Sequence, residues 1–564
     1  MQNLDWIILS CTLLFIVVYG TIKTRKNSNF NEYVIANRQS PSWAVALSVM
    51  ATQASAITFL SLPGQAYHDG MGFIQFYFGL PLAMIFICLF FIPAFYKYNV
   101  YTAYEFLEKK FDVRVRSLAT LLFLTQRGLV IGFTIYAPSI ILSSLLGWDL
   151  KLLIVSIGIL VLIYTVSGGS KAIIITQKHQ MFLIMSGMFL VFFILLSSFP
   201  DSLSLSNALG IAAANKKMEL LNFSTDPSER YTIWNGLAGG FFLMLAYFGT
   251  DQTQVGRYLT GKSIQESRRG LLINGLLKIP MQFFILLIGI LVFIFFQFHS
   301  TPLHFNPTNV NQVTSSSFEP QYSKIENEFK DVLVEKKEIS MLYTGQLYQD
   351  YNNPILKEKM VSLASKEREL RDEAKQIILQ ANPRAEINDK DYVFLYFIIN
   401  YLPTGFIGLL LAVIFSAAMS ASASELNALA TTTVNDIYKR NIRKTHSELH
   451  YLKATKIFTV VWGLIAIAIG CIVPLFENLI QLVNIVGSVF YGVLLGIFIV
   501  ALFFKRLDSN AVFWGAIISQ LSVIAIYMAD LVSFLWLNFI GVILVILFSS
   551  ILHLKINTIR YLKN

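Results

Sequence analysis

Apolar runs of about 20 residues recur from one end of the 564-residue chain to the other, and they restrict its possible folds more than any other feature. A helix of about 20 apolar residues crosses the hydrocarbon core of a bilayer. Only 14% of the residues are charged, whereas a soluble protein has about a quarter. The chain is therefore predicted to be an all-α, multi-pass membrane protein.

Run length and hydropathy predict thirteen transmembrane helices. Their approximate extents are 4–22, 43–67, 72–96, 117–146, 149–167, 172–198, 233–258, 271–297, 404–437, 454–475, 479–504, 512–533 and 535–554. The first run lacks a basic leader and a small-residue cleavage site, so it is predicted to be a retained helix rather than a signal peptide. Cys11, Cys88 and Cys471 lie in separate runs, which indicates neither a disulfide framework nor a zinc site.

Basic residues concentrate in every second predicted loop. They include Lys23, Arg25, Lys26, Arg38, Lys97, Lys109, Lys110, Arg114, Arg116, Lys171, Arg257, Lys262, Arg268, Arg269, Lys439, Arg440, Arg443, Lys444, Lys505, Arg506, Lys555, Arg560 and Lys563. Because cytoplasmic loops carry the excess of Lys and Arg, we predict a cell (inner) membrane protein with its N-terminus outside and its C-terminus in the cytoplasm. The net charge of +10 is then explained by lipid headgroups and topology, not by nucleic acid.

Two predicted spans are interrupted at mid-depth by polar residues. The first is divided by Thr52-Gln53-Ala54-Ser55, and the second is interrupted by residues 249–254. The first span is also predicted to end at Pro63-Gly64. An unpaired amide in lipid is costly, so both segments are predicted to be unwound backbone facing a buried cavity. An unbroken helix with polar contacts to a neighbour is the alternative.

Five spans separate the starts of the two interrupted helices, which predicts an inverted repeat. The predicted organisation is an extra helix and loop at 1–42, a first repeat at 43–198, a second repeat at 233–506 and two further helices with a short tail at 507–564. The charged insertion 298–391 within the second repeat has helical spacing. We interpret it as a helical cap on the outer face, either a solvated insertion or a gate or docking surface.

Several segments resemble the sodium/solute symporter family, which has the LeuT-type five-plus-five inverted-repeat fold. They are WDLKLLIVSIGILVLIYTVSGG at 148–169, DQTQVGRYLTGKS at 251–263, SASASELNALATTTVNDIYKR at 420–440 and YTAYEFLEKKFDVRVRSLATL at 101–121. Within the family, these strings look closest to the branch that carries monocarboxylates, vitamins and iodide. Ser170 departs from the family, which usually has a large apolar residue there.

The resemblance implies a sodium site made of hard oxygen ligands. It puts carbonyl ligands at Ala51, Ala54 and Ala417 and a hydroxyl ligand at Ser420. Ala421 lacks the hydroxyl that the family has at that position, and Gln177 replaces an Asp found in many members.

Three readings of this altered cation site stay open. Sodium binds through four protein ligands and water, or through Ser422 or Ser424. Alternatively, the site is weak and another cation or a proton drives transport. In the third reading, Lys178 supplies a fixed positive charge, although its helical position points about 100° away from that of Gln177.

The resemblance also implies which residues contact the substrate. The candidates are Gln53, Ser55, Thr58, Tyr77, Arg127, Tyr247 and Gln481. Tyr77, Leu80 and Met244 stand where sugar-carrying members have their polar cluster. Because these side chains cannot chelate sugar hydroxyls, a neutral hexose is disfavoured.

Arg127 lies about ten residues into an otherwise apolar span. A guanidinium at that depth marks a functional site by default, and its planar fork suits a carboxylate. Sialic acid symporters of the family use an Arg near this position. The alternative is a structural Arg127 paired with Asp251 or with carbonyl groups.

We therefore predict a secondary active transporter that couples a cation, in the first place sodium, to uptake of a small organic anion such as a monocarboxylate or a sialic-acid-like sugar acid. The first, second, sixth and seventh core helices would rock against the third, fourth, eighth and ninth. A neutral-solute carrier with weak or absent sodium dependence and a non-transporting sensor are the alternatives. No enzyme motif is present, and no obligatory protein partner is expected.

Overall fold

The computed structural model describes residues 2–24, 30–201, 203–226, 229, 231–347, 353–442, 445–472 and 479–563, and this part of the chain is helical without strands. The first half contains α1 (Asn3–Thr24), α2 (Phe30–Ile35), α3 (Ser42–Gln53), α4 (Ala56–Asp69), α5 (Leu80–Phe86), α6 (Ile92–Lys97), α7 (Ala103–Lys110), α8 (Val113–Leu146), α9 (Leu150–Ser197), α10 (Leu205–Ala214), α11 (Gly240–Gly249), α12 (Gln252–Tyr258) and α13 (Ile264–Phe298). The second half contains α14 (Pro307–Thr314), α15 (Glu319–Leu347), α16 (Pro354–Ala381), α17 (Lys390–Tyr401), α18 (Phe406–Thr432), α19 (Glu448–Ile472), α20 (Leu479–Phe503), α21 (Ser509–Met528) and α22 (Phe534–Lys563). Short 3₁₀ or π segments are Ala36–Arg38, Met71–Tyr77, Ile87–Phe91, Asn235–Gly239 and Thr433–Ile442.

Nine helical segments of the described residues are long and apolar enough to span a membrane, and a bent pair, α3 with α4, makes a tenth. Three more of the predicted spans are present as the shorter apolar segments Asn3–Ile16, Leu150–Ile163 and Asn235–Gly249. A multi-pass membrane protein is thus confirmed, whereas the total of thirteen stays a prediction. The end of the predicted span 454–475 and the basic residues Arg25, Lys26, Arg443 and Lys444 lie outside the described residues.

The first predicted interruption is present between α3 and α4. Helix α3 ends at Gln53, helix α4 begins at Ala56, and the two axes are bent by 62°. Ser55 has an extended backbone conformation, with φ −79° and ψ 167°. The polar patch therefore marks a true break in the helix.

Pro63-Gly64 does not end this span, so that part of the prediction is wrong. Helix α4 continues through both residues to Asp69. A Cβ on Gly64 would lie 1.8 Å from the carbonyl oxygen of Lys390, and a Cβ on Gly289 would lie 2.3 Å from that of Pro63. Close packing against α13 and α17 therefore holds the helix together where local propensity alone would end it.

The second predicted interruption is present between α11 and α12. Helix α11 ends at Gly249, and Asp251 caps α12 by accepting a hydrogen bond from the backbone N–H of Thr253 at 2.8 Å. The glycines before the break allow close helix contacts, since a Cβ on Gly236 would lie 2.0 Å from the carbonyl oxygen of Gln75.

The predicted spans 149–167 and 172–198 are joined within one long helical element, α9. Gly169 breaks its geometry with φ 57° and ψ −170°. This left-handed φ favours glycine, and a Cβ there would also lie 2.5 Å from the ring of Tyr33. The Gly-Gly pair thus acts as a sharp kink between two helices.

The insertion forms a cap of helices α14 to α16, and Lys390, which follows the cap at the start of α17, ties it to the C-terminal end of α4. The Lys390 ammonium contacts the Asp69 carboxylate, at the end of α4, at 2.6 Å. Inside the cap, Glu367 is buried between Lys336 and Arg371, and the Arg371 side chain also donates to the carbonyl oxygen of Leu303 at 2.8 Å. These three charged side chains are therefore desolvated inside the cap, and the choice between a solvated insertion and a gate or docking surface stays a prediction.

We expect Glu367→Gln to destabilise the cap by about 3–5 kcal/mol, because it leaves two buried cations without their anion. Limited proteolysis within the cap and thermal unfolding of the purified protein measure the effect. Glu326→Gln is the matched control, because Glu326 belongs to an exposed pair with Lys330 in the same cap. Equal behaviour of the two variants would contradict the prediction.

The same interaction predicts a pH dependence of cap stability. Burial alone would raise the pKa of Glu367, but the charges of Lys336 and Arg371 outweigh it and lower the pKa from 4.5 to about 2. A lowered carboxyl pKa contributes stability above pH 4.5 that is lost as the pH falls towards 2. The difference between the wild type and Glu367→Gln should therefore shrink over that interval.

Candidate functional site

A cavity of about 120 Å³ lies at the first helix break and reaches α11, the helix that ends at the second break. Residues before, within and after the first break line it, as do Met244 and Tyr247 on α11. Of the predicted substrate-binding residues, the structure brings together Gln53, Ser55, Thr58, Tyr77, Arg127 and Tyr247 around this space.

Gln481 does not line this cavity. Its amide nitrogen donates to Gln65 Oε1 at 3.3 Å and to the Tyr231 hydroxyl at 3.1 Å. All three residues border a second cavity of about 620 Å³. Gln481 thus lies towards the second cavity, one residue after Ile480, which borders the first one.

The first break is bridged by Thr58, which lies one turn into α4. Its hydroxyl donates to the carbonyl oxygen of Gln53 at 3.1 Å, and its backbone N–H donates to the carbonyl oxygen of Ser55 at 3.0 Å. These bonds satisfy two carbonyl groups that the missing helical turn would leave unpaired.

Arg127 is the centre of a buried ion cluster. Its Nε lies 2.6 Å from Asp251 Oδ2, its Nη1 lies 3.1 Å from Glu425 Oε1, and its Nη2 donates to the Tyr491 hydroxyl at 2.8 Å. The Tyr247 ring lies 5.1 Å from the guanidinium carbon. The pairing with Asp251 that the sequence left open is present.

These contacts limit what Arg127 can offer to a ligand. Each of its three nitrogens already meets a protein acceptor, and two of the acceptors are carboxylates. A substrate carboxylate would have to share the guanidinium with Asp251 and Glu425, against their negative charge.

The predicted cation ligands fall on α3, the first break and α18. The Ser420 hydroxyl lies 3.3 Å from the carbonyl oxygen of Ala51. Ala54 lies at the break, where its N–H donates to the carbonyl oxygen of Met50 at 2.9 Å, and Ala417 is buried one turn before Ser420. The structure therefore brings Ala51 and Ser420 into direct contact.

The Gln177 amide occupies the centre of this group of oxygens. Its Nε2 lies 3.1 Å from Thr52 Oγ1, 3.1 Å from Ser420 Oγ and 3.0 Å from Ser424 Oγ, while its Oε1 accepts from the Ser48 hydroxyl at 2.6 Å. A primary amide has only two hydrogens to donate, so it cannot satisfy all three hydroxyl oxygens. An amide donor thus competes with any cation for the Ser420 hydroxyl.

Lys178 and Ser422 point elsewhere. The Lys178 ammonium lies 4.3 Å from the ring centre of Trp43. The Ser422 hydroxyl donates to Thr134 Oγ1 at 3.0 Å. Of the residues considered for the altered cation site, Ser424 contacts the Gln177 amide, whereas Ser422 and Lys178 have other partners.

The cavity also contains charged and polar residues that the sequence reasoning did not select. They are Lys278, Gln282, Glu425, Asn484 and Tyr491. Lys278 and Glu425 could have been found by the rule applied to Arg127, since each is a lone ionisable residue in an apolar run.

A family model described as "Sodium:solute symporter family" matches residues 33–317 and 375–519. The chain belongs to the sodium:solute symporter family. The unmatched segment between the two parts falls inside the cap. Membership in a family of symporters places the chain among transporters and not among enzymes.

Curated relatives agree with the branch that the sequence motifs indicate. The chain is 32% identical to sodium-coupled monocarboxylate transporter 2 of Bos taurus, over 46% of this chain and 41% of that protein. It is also 32% identical to the sodium/iodide cotransporter of Homo sapiens, over 43% of this chain and 37% of that protein. The chain thus spans about two fifths of the length of these relatives.

A solved structure has the same fold over nearly the whole chain. It is described as the substrate-bound, outward-open state of a Na⁺-coupled sialic acid symporter, with a TM-score of 0.72, 24% identity and coverage of 98% of this chain and 97% of that one. This similarity establishes a symporter fold.

We expect Arg127→Met to lower the free energy of unfolding by about 3–5 kcal/mol, because Asp251 and Glu425 would remain buried without their cation. Thermal unfolding of the purified protein measures the loss. Arg127→Met combined with Asp251→Asn should be more stable than Arg127→Met alone, since it removes one of the orphaned charges.

Arg114→Met is the control for this prediction. Arg114 lies on the same helix and pairs with Asp112 at 2.7 Å, but more than half of its side chain is exposed. Exposed pairs contribute little, so this variant should unfold like the wild type. An Arg127→Met protein that also unfolds like the wild type would refute the structural importance of the cluster.

Proposed function

We propose that the chain is a secondary active transporter that imports a small organic anion together with a cation, in the first place sodium. The observation that carries this proposal is the cavity at the first helix break, which reaches the helix that ends at the second break and contains ionisable side chains. Breaks of this kind expose peptide groups and helix ends that can hold a substrate and an ion at mid-membrane.

The proposed mechanism is alternating access within the organisation predicted from the sequence. Segments 43–198 and 233–506 would be the inverted repeats, with 1–42 and 507–564 as peripheral helices and 298–391 as the outer cap. The chain would lie in the cell (inner) membrane with its N-terminus outside. Tighter binding of the cation to the outward-open state would bias the equilibrium between the two states.

The anionic substrate is supported by the relatives, which are named for monocarboxylates and iodide. The guanidinium of Arg127 adds a donor at the cavity wall, although Asp251 and Glu425 already pair with it. The predicted partners are therefore a small anion and the lipid bilayer.

Uptake into proteoliposomes tests the proposal. Labelled acetate, pyruvate, lactate, sialic acid, glucose and iodide are supplied with an inward sodium gradient, or with choline in place of sodium. We expect accumulation of at least one organic anion that depends on protein and is reduced in choline. Liposomes without protein are the control, and a protein that accumulates none of these solutes would contradict the proposal.

A second candidate is transport with weak or absent sodium dependence, of either an anion or a neutral solute. The observation that favours it is the Gln177 amide, which stands among the hydroxyl groups predicted to receive sodium. Undiminished accumulation in choline would select this candidate, and accumulation of glucose alone would select a neutral substrate.

We expect Gln177→Asp to strengthen sodium dependence. The substitution removes the amide donor and adds a carboxylate beside Ser420 and Ser424, and a hard cation prefers such oxygen ligands. The sodium concentration at half-maximal uptake should fall about tenfold, which corresponds to about 1.4 kcal/mol.

Gln177→Ala separates the two effects in that experiment. It removes the amide but adds no charge, so its sodium dependence should lie between those of the wild type and Gln177→Asp. Uptake by Gln177→Asp that is less sensitive to sodium than uptake by the wild type would refute the cation site at these residues.

A further inference from the structure

Lys278 is a buried lysine that faces the first cavity, and its ammonium group has no partner in the described part of the chain. Its side chain is 2% exposed and lines the cavity. Within the described part of the chain, its Nζ has no hydrogen-bond partner and no carboxylate within ion-pair distance. Arg127, in the same cavity wall, is fully paired.

Lys278 lies well inside its helix. It is seven residues into the predicted span 271–297, about 10 Å of helix from the start of that span. Its Nζ is buried, so the side chain does not extend to the surface. Burying an ammonium without a partner is costly, so a ligand in the cavity is the natural source of compensation.

The carboxylates near the cavity are already engaged. Asp251 Oδ2 accepts hydrogen bonds from Arg127 and from the Tyr491 hydroxyl, at 2.6 and 2.7 Å. Glu425 receives Arg127 at 3.1 Å and the Thr134 hydroxyl at 3.4 Å. Neither carboxylate pairs with Lys278, so its ammonium form is available to an anion in the cavity.

Two acceptor oxygens in the cavity wall are also unpaired. Gln53 Oε1 and Gln282 Oε1 are buried and have no hydrogen-bond partner in the described part of the chain. Gln282 lies one helical turn after Lys278, and its Nε2 donates to the Tyr77 hydroxyl at 2.7 Å, which directs the amide. Buried acceptors of this kind require donors.

We propose that Lys278 binds the carboxylate of the transported anion, and that Gln53 and Gln282 accept hydrogen bonds from its hydroxyl or N–H groups. The substrate class is then a hydroxylated or amide-bearing organic acid, rather than a halide or a plain alkanoate. This inference rests on the proposed function and names the substrate class of the same site.

Binding of lactate and propionate to the purified full-length protein tests the inference, with uptake into proteoliposomes as the second readout. The two acids have the same number of carbons and differ in one hydroxyl group. Hydrogen bonds to charged groups contribute about 1.5–3 kcal/mol, so Lys278→Met should weaken lactate binding roughly 10- to 100-fold, and Lys278→Arg should retain part of it. Lys262→Met, just before the same helix, should bind like the wild type.

The remaining variants test the two amides and the stability of the empty protein. The wild type should prefer lactate to propionate by about fivefold, as expected for one neutral hydrogen bond, and Gln282→Leu should reduce that preference. Without ligand, Lys278→Met should be at least as stable as the wild type, because it removes an unpaired buried charge.

The outcomes distinguish this inference from the proposed function. A wild-type protein that transports no organic anion refutes the proposed function itself. A wild type that transports lactate while Lys278→Met binds it within twofold of the wild type refutes only the role of Lys278. Loss of stability in unliganded Lys278→Met would show a structural lysine, and iodide or propionate binding as tightly as lactate would refute the substrate class.

Discussion

The buried guanidinium of Arg127 is the interaction on which the centre of the molecule depends. It holds Asp251 at the second helix break, Glu425 on α18 and Tyr491 on α20 in one cluster. Each buried carboxylate is tolerable only because the cation is present, and the cation is tolerable only because of them. The cluster therefore fixes where the broken helix meets its neighbours, and the cavity forms beside that junction.

This cluster also connects the two groups of helices whose relative motion the proposed mechanism requires. In the predicted organisation, Arg127 belongs to the third core helix and Asp251 to the break of the sixth. If these groups rock against each other, the contact at 2.6 Å must either act as the pivot or break in one of the two states. A pivot is the less costly solution, because separation would expose two unpaired charges within the protein.

The sequence predicted the features that depend on local composition. The apolar spans, the two breaks and the helical cap follow from hydropathy and from polar residues placed where lipid would not tolerate them. The end of the first broken helix was predicted wrongly, because Pro63 and Gly64 are held in helical form by α13 and α17, and such packing is invisible in one sequence. Contacts across the fold were harder to predict. The Arg127–Asp251 pair was only an alternative, and the hydroxyl groups that surround Gln177 were not predicted.

Arg127 and Lys278 show how far the sequence can identify the candidate site. Both are lone cations in apolar runs, so the same rule selects both as functional residues. Only coordinates separate them, since Arg127 has two carboxylate partners and Lys278 has none within the described part of the chain. Residue type and depth predict that a site exists, while the partners decide which side chain remains available to a ligand.

The formal charges near the cavity suggest why an anion would require a companion ion. With all groups ionised, Arg127 with Asp251 and Glu425 has a net charge of −1, and Lys278 has a charge of +1. An anion that pairs with Lys278 therefore leaves the negative charge of the Arg127 cluster uncompensated. Two opposite unit charges about 10 Å apart attract by ~1.7 kcal/mol at an effective dielectric constant of about 20. That energy makes binding of a cation more than tenfold tighter when the anion is present. Because coupling between two sites is reciprocal, the cation would strengthen binding of the anion by the same factor, which gives the proposed symport a physical basis.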